Sequence, residues 1–283
     1  MRKRLRATIE GAFPDEGSIG AYNSFDIIGD IAVTKVPKPS TEKAGIIAET
    51  IMKKHRNVKA VFTQETAVSG VFRLRSLTYV GGENRTCTVH KENGCRFKVD
   101  LEKCYFSPRL CGERRRIASL VQQNETVVNM FAGVGCFSIL IAKRQPMAKV
   151  YSIDINPVAV EFMKENIRLN RVYGKVVPLL GDTKEIIQNQ LQHSADRVLM
   201  PLPEKAFDYL STALSVLKPS GGWIHLHVFE HATKTEDPTE KVKQKVKSAL
   251  DILGVRFVVS VVRVVRSIGP NWWQLVADVQ VTC

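Results

Sequence analysis

A glutamate lies among arginines just upstream of a glycine loop, and this pairing could do chemistry. The sequence reads FSPRLCGERRR from Phe106 to Arg116 and NMFAGVGCFS from Asn129 to Ser138. A carboxylate held beside cations, here Glu113, is a candidate proton acceptor. The neighbouring arginines are candidates for holding a polyanion or stabilising a developing negative charge. The glycine loop is of the kind that cradles a nucleotide-like cofactor.

Helices and strands alternate from about residue 111 onward, and they must position these two segments. The predicted helices are Glu113–Gln122, Phe137–Lys143, Val158–Asn170, Lys205–Leu217 and Glu240–Leu253. The predicted strands are Thr126–Phe131, Lys149–Asp154, Lys175–Leu180, Arg197–Leu202, Gly221–Phe229, Arg256–Val265 and Trp272–Val281. Such alternation favours a mainly parallel α/β sheet with helices on both faces. A short loop containing Gly269 and Pro270 predicts that the last two strands form an antiparallel hairpin.

The first hundred residues follow a different pattern, which predicts a small α+β unit. Residues 37–55 are typical of an amphipathic helix and Val58–Gln64 of a strand, with shorter strands before them. Asn93 and Gly94 form a hairpin-turn signal between two alternating strands. We therefore divide the chain into residues 1–105 and residues 106–283. Within the second part, we interpret the apolar run Val255–Val265 as a buried strand.

The glycine loop and two aspartates predict a cofactor site at the carboxyl edge of the sheet. Gly133 and Gly135 stand at a strand-to-helix turn, where the backbone can approach a ligand closely. Asp154 ends the next strand and can accept both hydroxyl protons of a ribose. Asp182 ends the third strand and can contact an adenine amino group. The alternative is a purely structural turn, with Asp154 capping the helix that starts near Pro157.

Two features favour S-adenosylmethionine over a nicotinamide dinucleotide. Ser138 stands where a G-x-G-x-x-G fingerprint has its third glycine. A parallel sheet that ends in an antiparallel hairpin is also the usual layout of S-adenosylmethionine-dependent methyltransferases. The sequence therefore predicts S-adenosylmethionine as the cofactor.

The charge of the chain predicts a polyanionic partner. The formal net charge is +13, and residues 1–120 carry 22 Lys and Arg against 13 Asp and Glu. A basic excess of this kind is suited to contacts with nucleic-acid phosphates, although solvated surface charge gives the same composition. The short basic segment Arg2–Arg6 adds to this excess.

Several other classes of protein are disfavoured. The six cysteines show no C-x-x-C pair and no matching histidine spacing, so no metal site is predicted. Without a secretory signal, reduced thiols in a cytoplasm are expected. No apolar run reaches the roughly 18–20 residues of a membrane helix. We interpret His225, His227 and His231 as core or surface residues, and Trp272 and Trp273 as a strand anchor rather than a base-stacking pair.

Beyond these patterns, the chain resembles the archaeal and eukaryotic tRNA (guanine-37-N1)-methyltransferase family. The resemblance is carried by the segments FDIIGDIAV, VSGVFRLRSL, HKENGCRFKVD, YFSPRLCGERRRIA, NMFAGVGCFS, YSIDINPVAVEFMKENI, LLGD and DRVLMPLPEKA, which span most of residues 25–230. It implies a class I, Rossmann-like methyltransferase domain preceded by a small RNA-binding domain. It also implies methyl transfer from S-adenosylmethionine to N1 of guanosine 37, next to the tRNA anticodon, by a cytoplasmic and monomeric enzyme.

The resemblance implies roles for individual residues. Glu113 matches the general base, Arg73 in FRLR matches a catalytic arginine, and Arg109 is expected beside the target base. The expected cofactor-binding residues are Arg114, Asn129, Phe131, Gly133, Gly135, Asp154, Asp182 and Pro201. The expected RNA-binding residues are Tyr105, Arg75 and Arg115, which would contact the anticodon stem-loop.

The chain departs from the family at some positions, which leaves other functions open. Asn129 replaces an aspartate, Cys136 replaces a proline, and Pro201 replaces the asparagine of an Asn-Leu-Pro or Asn-Pro-Pro motif. One alternative is a wyosine-pathway transferase acting on the same nucleotide, by aminocarboxypropyl transfer or by methylation of the tricyclic precursor. Arg109 counts against aminocarboxypropyl transfer. Another alternative is a catalytically degenerate tRNA-binding protein, against which the intact Glu113 argues.

Overall fold

A computed structural model describes residues 25–34, 41–65 and 68–282, without the side chains of residues 41–43. The basic segment Arg2–Arg6 and the short strands predicted before residue 25 lie outside these residues. The chain divides into two compact units, of which the first ends at Pro108 and the second begins at Arg109.

The first unit contains a four-stranded sheet and a helix. In spatial order its strands are β1 (Asp26–Ile28), β2 (Ile31–Thr34), β3 (Ala60–Gln64) and β4 (Leu77–Gly82), and the helix is α1 (Thr41–Lys54). Strands β2 and β3 are parallel, while the other neighbours are antiparallel. The apolar face of α1, with Ile47 and Ile51, shares a buried cluster with Val61 and Val80. The sheet is therefore held by the hydrophobic stripe that the sequence predicts.

A two-stranded hairpin completes the first unit. It consists of β5 (Cys87–Glu92) and β6 (Cys95–Asp100), which pair in an antiparallel register. Asn93 and Gly94 in its turn have φ values of 48° and 76°, the left-handed conformations that a tight hairpin turn requires. The backbone N–H of Gly29 donates to Nδ1 of His90 at 3.0 Å, which fixes the hairpin to the turn between β1 and β2. The predicted hairpin is confirmed.

The second unit is built on a seven-stranded sheet in the order β12-β13-β11-β10-β7-β8-β9. Its strands are β7 (Thr126–Asn129), β8 (Lys149–Asp154), β9 (Val176–Leu180), β10 (Arg197–Met200), β11 (Gly222–His231), β12 (Arg256–Gly269) and β13 (Trp272–Thr282). The five neighbouring strands β11, β10, β7, β8 and β9 are parallel, and β13 runs antiparallel to both β11 and β12. The predicted α/β fold with its antiparallel end hairpin is confirmed.

Five helices of this unit occur where the alternation predicts them, with shifted ends, and the short helix Thr183–Ile186 was not predicted. The helices are α2 (Cys111–Leu120), α3 (Cys136–Arg144), α4 (Pro157–Asn170), α5 (Thr183–Ile186), α6 (Leu210–Val216) and α7 (Pro238–Ile252). The helix predicted from Lys205 begins later because Pro203–Lys205 forms a separate 3-10 turn. Asp237 caps α7 by accepting the backbone N–H of Thr239, which satisfies one of the free donors at the helix start.

Strand β12 corrects the interpretation of the run Val255–Val265 as buried. It lies at one edge of the sheet, and Val258 and Val261 are 55% and 45% exposed. A register shift between Val259 and Val261 leaves Ser260 and Val261 both facing out. Valines occupy both faces of this strand, so its alternation could not be seen in the sequence.

The histidines and tryptophans near β11 have structural positions. His225 and His227 are fully or almost fully buried, while His231 is exposed against the ring of Trp272. Trp273 donates its indole N–H to the carbonyl of Ala232 at 3.4 Å. Among the described residues, no group of three His, Cys, Asp or Glu side chains is placed to hold a metal ion. None of the described helices is long and apolar enough to cross a bilayer.

Candidate active site

The glycine turn leads from the carboxyl end of β7 into α3, beside the carboxyl end of the neighbouring strand β8. Strand β7 ends at Asn129 and α3 begins at Cys136, with Gly133 at φ 56° and Gly135 at φ 89° between them. The backbone N–H of Gly133 donates to Oδ2 of Asp154 at 2.6 Å. This bond places the loop and the carboxylate at one edge of the sheet, as the sequence predicts.

Gly135 is required for packing as well as for backbone conformation. A Cβ atom at this position would lie 2.8 Å from Cγ of Met163 and 3.1 Å from Cδ1 of Ile139. Because Met163 belongs to α4, this glycine lets α3 start close to its neighbouring helix. Gly135 therefore shapes the loop without having to touch a cofactor.

Asp154 is held by two backbone N–H groups. Its second oxygen, Oδ1, accepts from the N–H of Asn156 at 2.9 Å. Burial raises the pKa of Asp154, while the N–H groups of Asn156 and Gly133 act in the opposite direction. Asn156, not Asp154, caps α4, because its side chain accepts from the N–H of Val158 at 3.0 Å. The alternative of Asp154 as a helix cap is therefore wrong.

Asn129 offers a buried acceptor beside the loop. Its side chain donates from Nδ2 to Oγ of Ser138 at 3.1 Å, and both residues are fully buried. Ser138, at the position of the missing third glycine, therefore orients the amide. Oδ1 of Asn129 has no hydrogen-bond partner among the residues that the structure describes. Since a buried acceptor without a partner costs free energy, this oxygen is suited to a ligand N–H group.

The third strand end contributes Asp182 and an aromatic wall. Asp182 caps α5 by accepting from the N–H of Lys184 at 2.8 Å. The rings of Phe131 and Tyr209 meet edge to face at 5.2 Å between centroids. Burial, together with the charge of Asp182, raises the pKa of Tyr209. Pro201 is half-buried directly after β10.

These groups fit S-adenosylmethionine. Asp154 provides carboxylate oxygens suited to ribose hydroxyls, and Asn129 provides an acceptor suited to an amino group. Phe131 is half-buried beside the loop and can cover an adenine or the ribose. The donor set therefore suits a nucleoside that carries an amino acid moiety.

Glu113 is buried in the first turn of α2, and its carboxylate contacts two arginines. Only 1% of its side chain is exposed. Arg116, one helical turn later, donates from Nη2 to Oε1 at 2.7 Å and from Nε to Oε2 at 3.0 Å. Arg263 of β12 donates from Nη1 to Oε2 at 3.4 Å. The sequence predicted cations around Glu113, but it placed all of them within residues 109–116.

Arg116 links Glu113 to a second buried carboxylate, Asp278 of β13. Its Nη1 donates to Oδ2 of Asp278 at 2.5 Å and its Nη2 to Oδ1 at 3.0 Å. Burial opposes the charge of Arg116, but the hydrogen bonds to Glu113 and Asp278 outweigh it and raise the pKa of Arg116. Burial also favours a protonated Asp278, yet hydrogen bonds from His225 and Arg116 hold the pKa of Asp278 well below its usual range.

The chain of buried polar groups continues through His225 to Arg197. The two ring nitrogens of His225 face Oδ1 of Asp278 at 2.6 Å and Nη1 of Arg197 at 2.7 Å. Because Arg197 can only donate, Nε2 of His225 accepts and Nδ1 carries the proton toward Asp278. Burial lowers the pKa of His225, which keeps the ring neutral. Arg197 is paired in turn with Glu125, at 2.7 Å.

His227 lies on the same side of β11 as His225. Its ring packs edge to face against Phe137 of α3, at 6.1 Å between centroids. Burial lowers the pKa of His227 to about 4, although the nearby charge of Glu113 acts in the opposite direction. His227 is therefore a neutral, buried wall of the Glu113 site at neutral pH.

The other arginines of this segment point to different environments. Arg114 is buried, whereas Arg109 and Arg115 are exposed. Arg109 lies in the 3-10 turn Pro108–Leu110 that leads into α2. The exposed pair can reach an RNA, while Arg114 is placed inside the fold.

In the first unit, the predicted residues Arg73 and Tyr105 contact each other. The guanidinium carbon of Arg73 lies 4.5 Å from the ring centroid of Tyr105, a cation–π distance. Arg73 has a φ of 54°, an uncommon conformation for a side-chain-bearing residue that is often found at functional sites. Arg75 is buried and donates to the carbonyl of Phe106 at 2.5 Å. This contact ties Arg75 to the FSPR segment, and its role in RNA binding stays a prediction.

Comparison with known proteins identifies the family. Residues 88–253 match the TRM5/TYW2 methyltransferase domain, and residues 5–86 match the TYW2 N-terminal domain. The chain belongs to the TRM5/TYW2 methyltransferase family. The predicted family, fold class and methyltransferase activity class are thereby confirmed.

Relatives within the TRM5/TYW2 family have different named activities. The tRNA (guanine(37)-N(1))-methyltransferase Trm5b of Pyrococcus abyssi is 40% identical over 92% of this chain and 75% of its own length. The tRNA 4-demethylwyosine(37)-methyltransferase Taw21 of Saccharolobus solfataricus is 36% identical over 92% of this chain and 94% of its own length.

Solved structures of the TRM5/TYW2 family share the fold. The complex of aTrm5 with tRNALeu has a TM-score of 0.82 at 35% identity and covers all of this chain and 79% of its own. Methanocaldococcus jannaschii TYW2 in complex with AdoMet has a TM-score of 0.69 at 27% identity, covering 92% of this chain and 99% of its own.

Sequence reasoning missed several residues of this TRM5/TYW2 family site. They are Arg263, Asp278, His225, His227 and Tyr209. One signal was present for three of them: polar residues interrupt apolar strands, at His225 and His227 in β11 and at Asp278 in β13. Buried polar residues inside strands usually have partners, and a search for those partners would have connected β11 to β13.

Proposed function

We propose that this chain transfers a methyl group from S-adenosylmethionine to N1 of guanosine 37 in tRNA, with Glu113 as the general base. The observation that carries the proposal is the buried carboxylate of Glu113 in α2, the helix that packs against α3 after the glycine turn. The P. abyssi relative in this family is named for the reaction. The cofactor is supported by the donor set around Asp154 and Asn129 and by the AdoMet complex of the M. jannaschii relative.

The chemistry gives each proposed residue a task. Guanine N1 carries a proton, and Glu113 would accept that proton so that N1 can act as a nucleophile. Negative charge then develops on O6, which a cationic donor such as Arg73 can stabilise. When bound, S-adenosylmethionine supplies a methyl group already activated by its sulfonium. The protein therefore has to orient the base and remove one proton.

The RNA would be recognised around the anticodon stem-loop. Tyr105 can stack on a nucleobase, and the exposed Arg109 and Arg115 can contact phosphates or the target base. The target base has to leave its stack to reach a buried carboxylate. The tRNA complex of aTrm5 supports tRNA as the partner. We further propose that the enzyme acts as a monomer in the cytoplasm.

A second candidate is methylation of a wyosine precursor at the same nucleotide. One observation favours it: the similarity to Taw21, which is named for that reaction, over nearly all of that relative's length. The replacements at Asn129 and Pro201 leave room for a different acceptor. Aminocarboxypropyl transfer is a third outcome, since an M. jannaschii relative named for that reaction is 33% identical.

One assay separates these reactions. Purified protein is incubated with labelled S-adenosylmethionine and tRNA carrying guanosine, adenosine or 4-demethylwyosine at position 37, and the nucleosides are identified by mass spectrometry. The proposal predicts a gain of one methyl group on guanosine and none on adenosine. Transfer to 4-demethylwyosine alone would support the second candidate, and a mass gain larger than a methyl group would support aminocarboxypropyl transfer.

The general base has its own test within this assay. Glu113→Gln keeps the size and hydrogen-bonding shape of the side chain but cannot accept the proton. We expect the rate of transfer to fall by about 100-fold or more, the usual contribution of a positioned base. An unchanged rate at both neutral and high pH would remove Glu113 from the mechanism.

A further inference from the structure

We propose that Asp278 and His225 are positioning residues for Glu113, acting through the guanidinium of Arg116. The inference rests on the proposed role of Glu113 as the base. In this arrangement, β13 and β11 set the orientation of a carboxylate that belongs to α2. The two strands would thereby take part in the reaction without contacting the substrate or the cofactor.

The geometry of Arg116 is the first argument. A guanidinium has five N–H donors in one plane. Four of them are used. The N–H of Nε and one N–H of Nη2 donate to Glu113, while one N–H of Nη1 and the second N–H of Nη2 donate to Asp278. A rotation of the guanidinium that improved one contact would break the other. Asp278 therefore fixes the plane in which Arg116 presents itself to Glu113.

Asp278 is itself held from the other side by His225. The neutral ring donates from Nδ1 to Oδ1 of Asp278 at 2.6 Å, and its tautomer is fixed because Arg197 donates to Nε2. His225 is fully buried, and the side chain of Asp278 is only 6% exposed. With little water to replace these bonds, removal of one partner leaves a buried polar group unsatisfied. The orientation of the Glu113 carboxylate is thus set through the side chains of Arg116, Asp278 and His225.

Charge supports the same conclusion. Charged and titratable groups face Glu113 from each neighbouring element: Arg116 on its own helix, Arg263 from β12, His227 from β11, and Asp278 from β13 through Arg116. Arg116 divides its positive charge between two carboxylates. Without Asp278, the guanidinium would be held by Glu113 alone and would no longer be fixed from the side of β13.

The carboxylate oxygens of Glu113 differ in their partners. Oε1 accepts from Nη2 and Nε of Arg116, while Oε2 has Nε of Arg116 at 3.0 Å and Nη1 of Arg263 at the long distance of 3.4 Å. The side chain of Arg263 is 44% exposed on the edge strand. Arg263 can therefore give way when substrate arrives, and Oε2 is the oxygen that would receive the proton.

The test uses the full chain with saturating tRNA and S-adenosylmethionine. Single-turnover rates are measured across a pH series for the wild type, Asp278→Asn, Glu113→Gln and the double variant. We expect Asp278→Asn to slow transfer by about 10- to 100-fold, the scale of a misplaced catalytic group. The affinities for cofactor and tRNA should stay unchanged, so that the loss lies in the transfer step and not in binding.

The double variant separates positioning from a general loss of structure. If Asp278 acts through Glu113, Asp278→Asn has no further effect on the rate once Glu113 is Gln. An equal fold-loss in both backgrounds, or a normal rate and profile for Asp278→Asn, overturns the inference. Should Asp278→Asn fail to fold, variants of His225 test the same link. An Asn amide at position 225 can donate to Asp278 in place of Nδ1, so His225→Asn should retain more activity than His225→Ala.

A matched control is available on the opposite face of β11. Glu230 is also a buried carboxylate, paired with Lys245 at 2.6 Å, and it has no contact with Arg116 or Asp278. Glu230→Gln should lower thermal stability without changing the rate or the pH profile. The proposed function fails separately, when the wild type methylates no guanosine or when Glu113→Gln is fully active. The inference fails when Glu113→Gln is inactive but Asp278→Asn behaves as the wild type.

Discussion

Gly133 donates its backbone N–H to the carboxylate of Asp154 at 2.6 Å, so the turn after β7 is tied directly to the end of β8. A second bond, from Ala132 N–H to the carbonyl of Ile153 at 2.8 Å, runs parallel to it. The cofactor loop is therefore anchored before any ligand binds. A preformed loop loses less conformational entropy on binding than a flexible one.

This anchoring predicts the effect of Asp154→Asn. The amide can keep one backbone N–H bond but loses the charge-assisted bonds to ribose hydroxyls. We expect affinity for S-adenosylmethionine to fall by about 10- to 100-fold, the scale of a hydrogen bond to a charged group. Isothermal titration calorimetry measures the change. Glu161→Gln, at an exposed carboxylate of α4, is the control; equal affinity of Asp154→Asn and the wild type would contradict the prediction.

The unsatisfied Oδ1 of Asn129 leads to a second prediction. Asn129→Asp places a carboxylate where the amino group of the cofactor is expected, with Ser138 still able to donate to it. We expect cofactor binding to tighten by about 10-fold, since a charge-assisted bond is roughly twice as strong as a neutral one. The cofactor-free variant should be less stable because the buried charge lacks a partner. Thermal unfolding with and without cofactor tests both effects, and weaker binding by the variant would refute the assignment of Asn129.

Gly135 should not tolerate a side chain. In Gly135→Ala, a Cβ would meet Met163 at 2.8 Å with φ held at 89°, so either α3 or α4 must move. We expect the free energy of unfolding to fall by about 1–3 kcal/mol, the usual cost of overpacking. Chemical denaturation measures this change. Gly112→Ala is the control, because a Cβ there meets nothing within 4 Å.

The contact of Arg73 with Tyr105 predicts different outcomes for two substitutions. Tyr105→Phe keeps the ring face below the guanidinium, whereas Tyr105→Leu removes it. If the ring holds Arg73 ready for the target base, Tyr105→Leu should lower the transfer rate by about 3- to 10-fold, equivalent to one cation–π contact. Tyr105→Phe should stay close to the wild type. Equal rates for the two variants would show that the ring face does not matter.

Burial of His227 predicts that the folded protein loses stability at mildly acidic pH. Its pKa falls from 6.5 to about 4 on folding, so the unfolded chain binds a proton that the folded chain excludes. The stability that depends on neutral His227 is therefore complete above pH 6.5 and is lost as the pH falls toward 4. A shift of this size corresponds to on the order of 3 kcal/mol. His227→Phe should flatten the unfolding free energy between pH 6.5 and 4, while His193→Gln, at an exposed histidine, should not.

The fold was predictable because local patterns agreed with each other. The loop from Asn129 to Ser138 combines an apolar strand, glycines and a helix start, and each signal points to the same turn. The edge position of β12 was not predictable. Val258 and Val261 are apolar like the core, and exposure depends on which strand lies beside them, a long-range property.

Around Glu113, contacts were predictable only where the partners are close in sequence. Glu113 and Arg116 are one helical turn apart, so their proximity follows from helix geometry. Asp278 lies 162 residues from Arg116, and only the strand order brings them together. The orientation of the buried Arg75 toward Phe106 likewise depends on tertiary contacts that no local pattern encodes.

Because Arg116 is hydrogen-bonded to two carboxylates, the substitutions that this sequence can accept at these positions are limited. A neutral replacement of Arg116 alone leaves Glu113 and Asp278 as buried charges without their cation, which costs about 3–5 kcal/mol for a broken buried pair. A replacement of Asp278 alone leaves Arg116 with one carboxylate and leaves Nδ1 of His225 without its acceptor. Substitutions at these positions are therefore expected to occur together in descendants of this chain, through an intermediate that survives only with stability gained elsewhere.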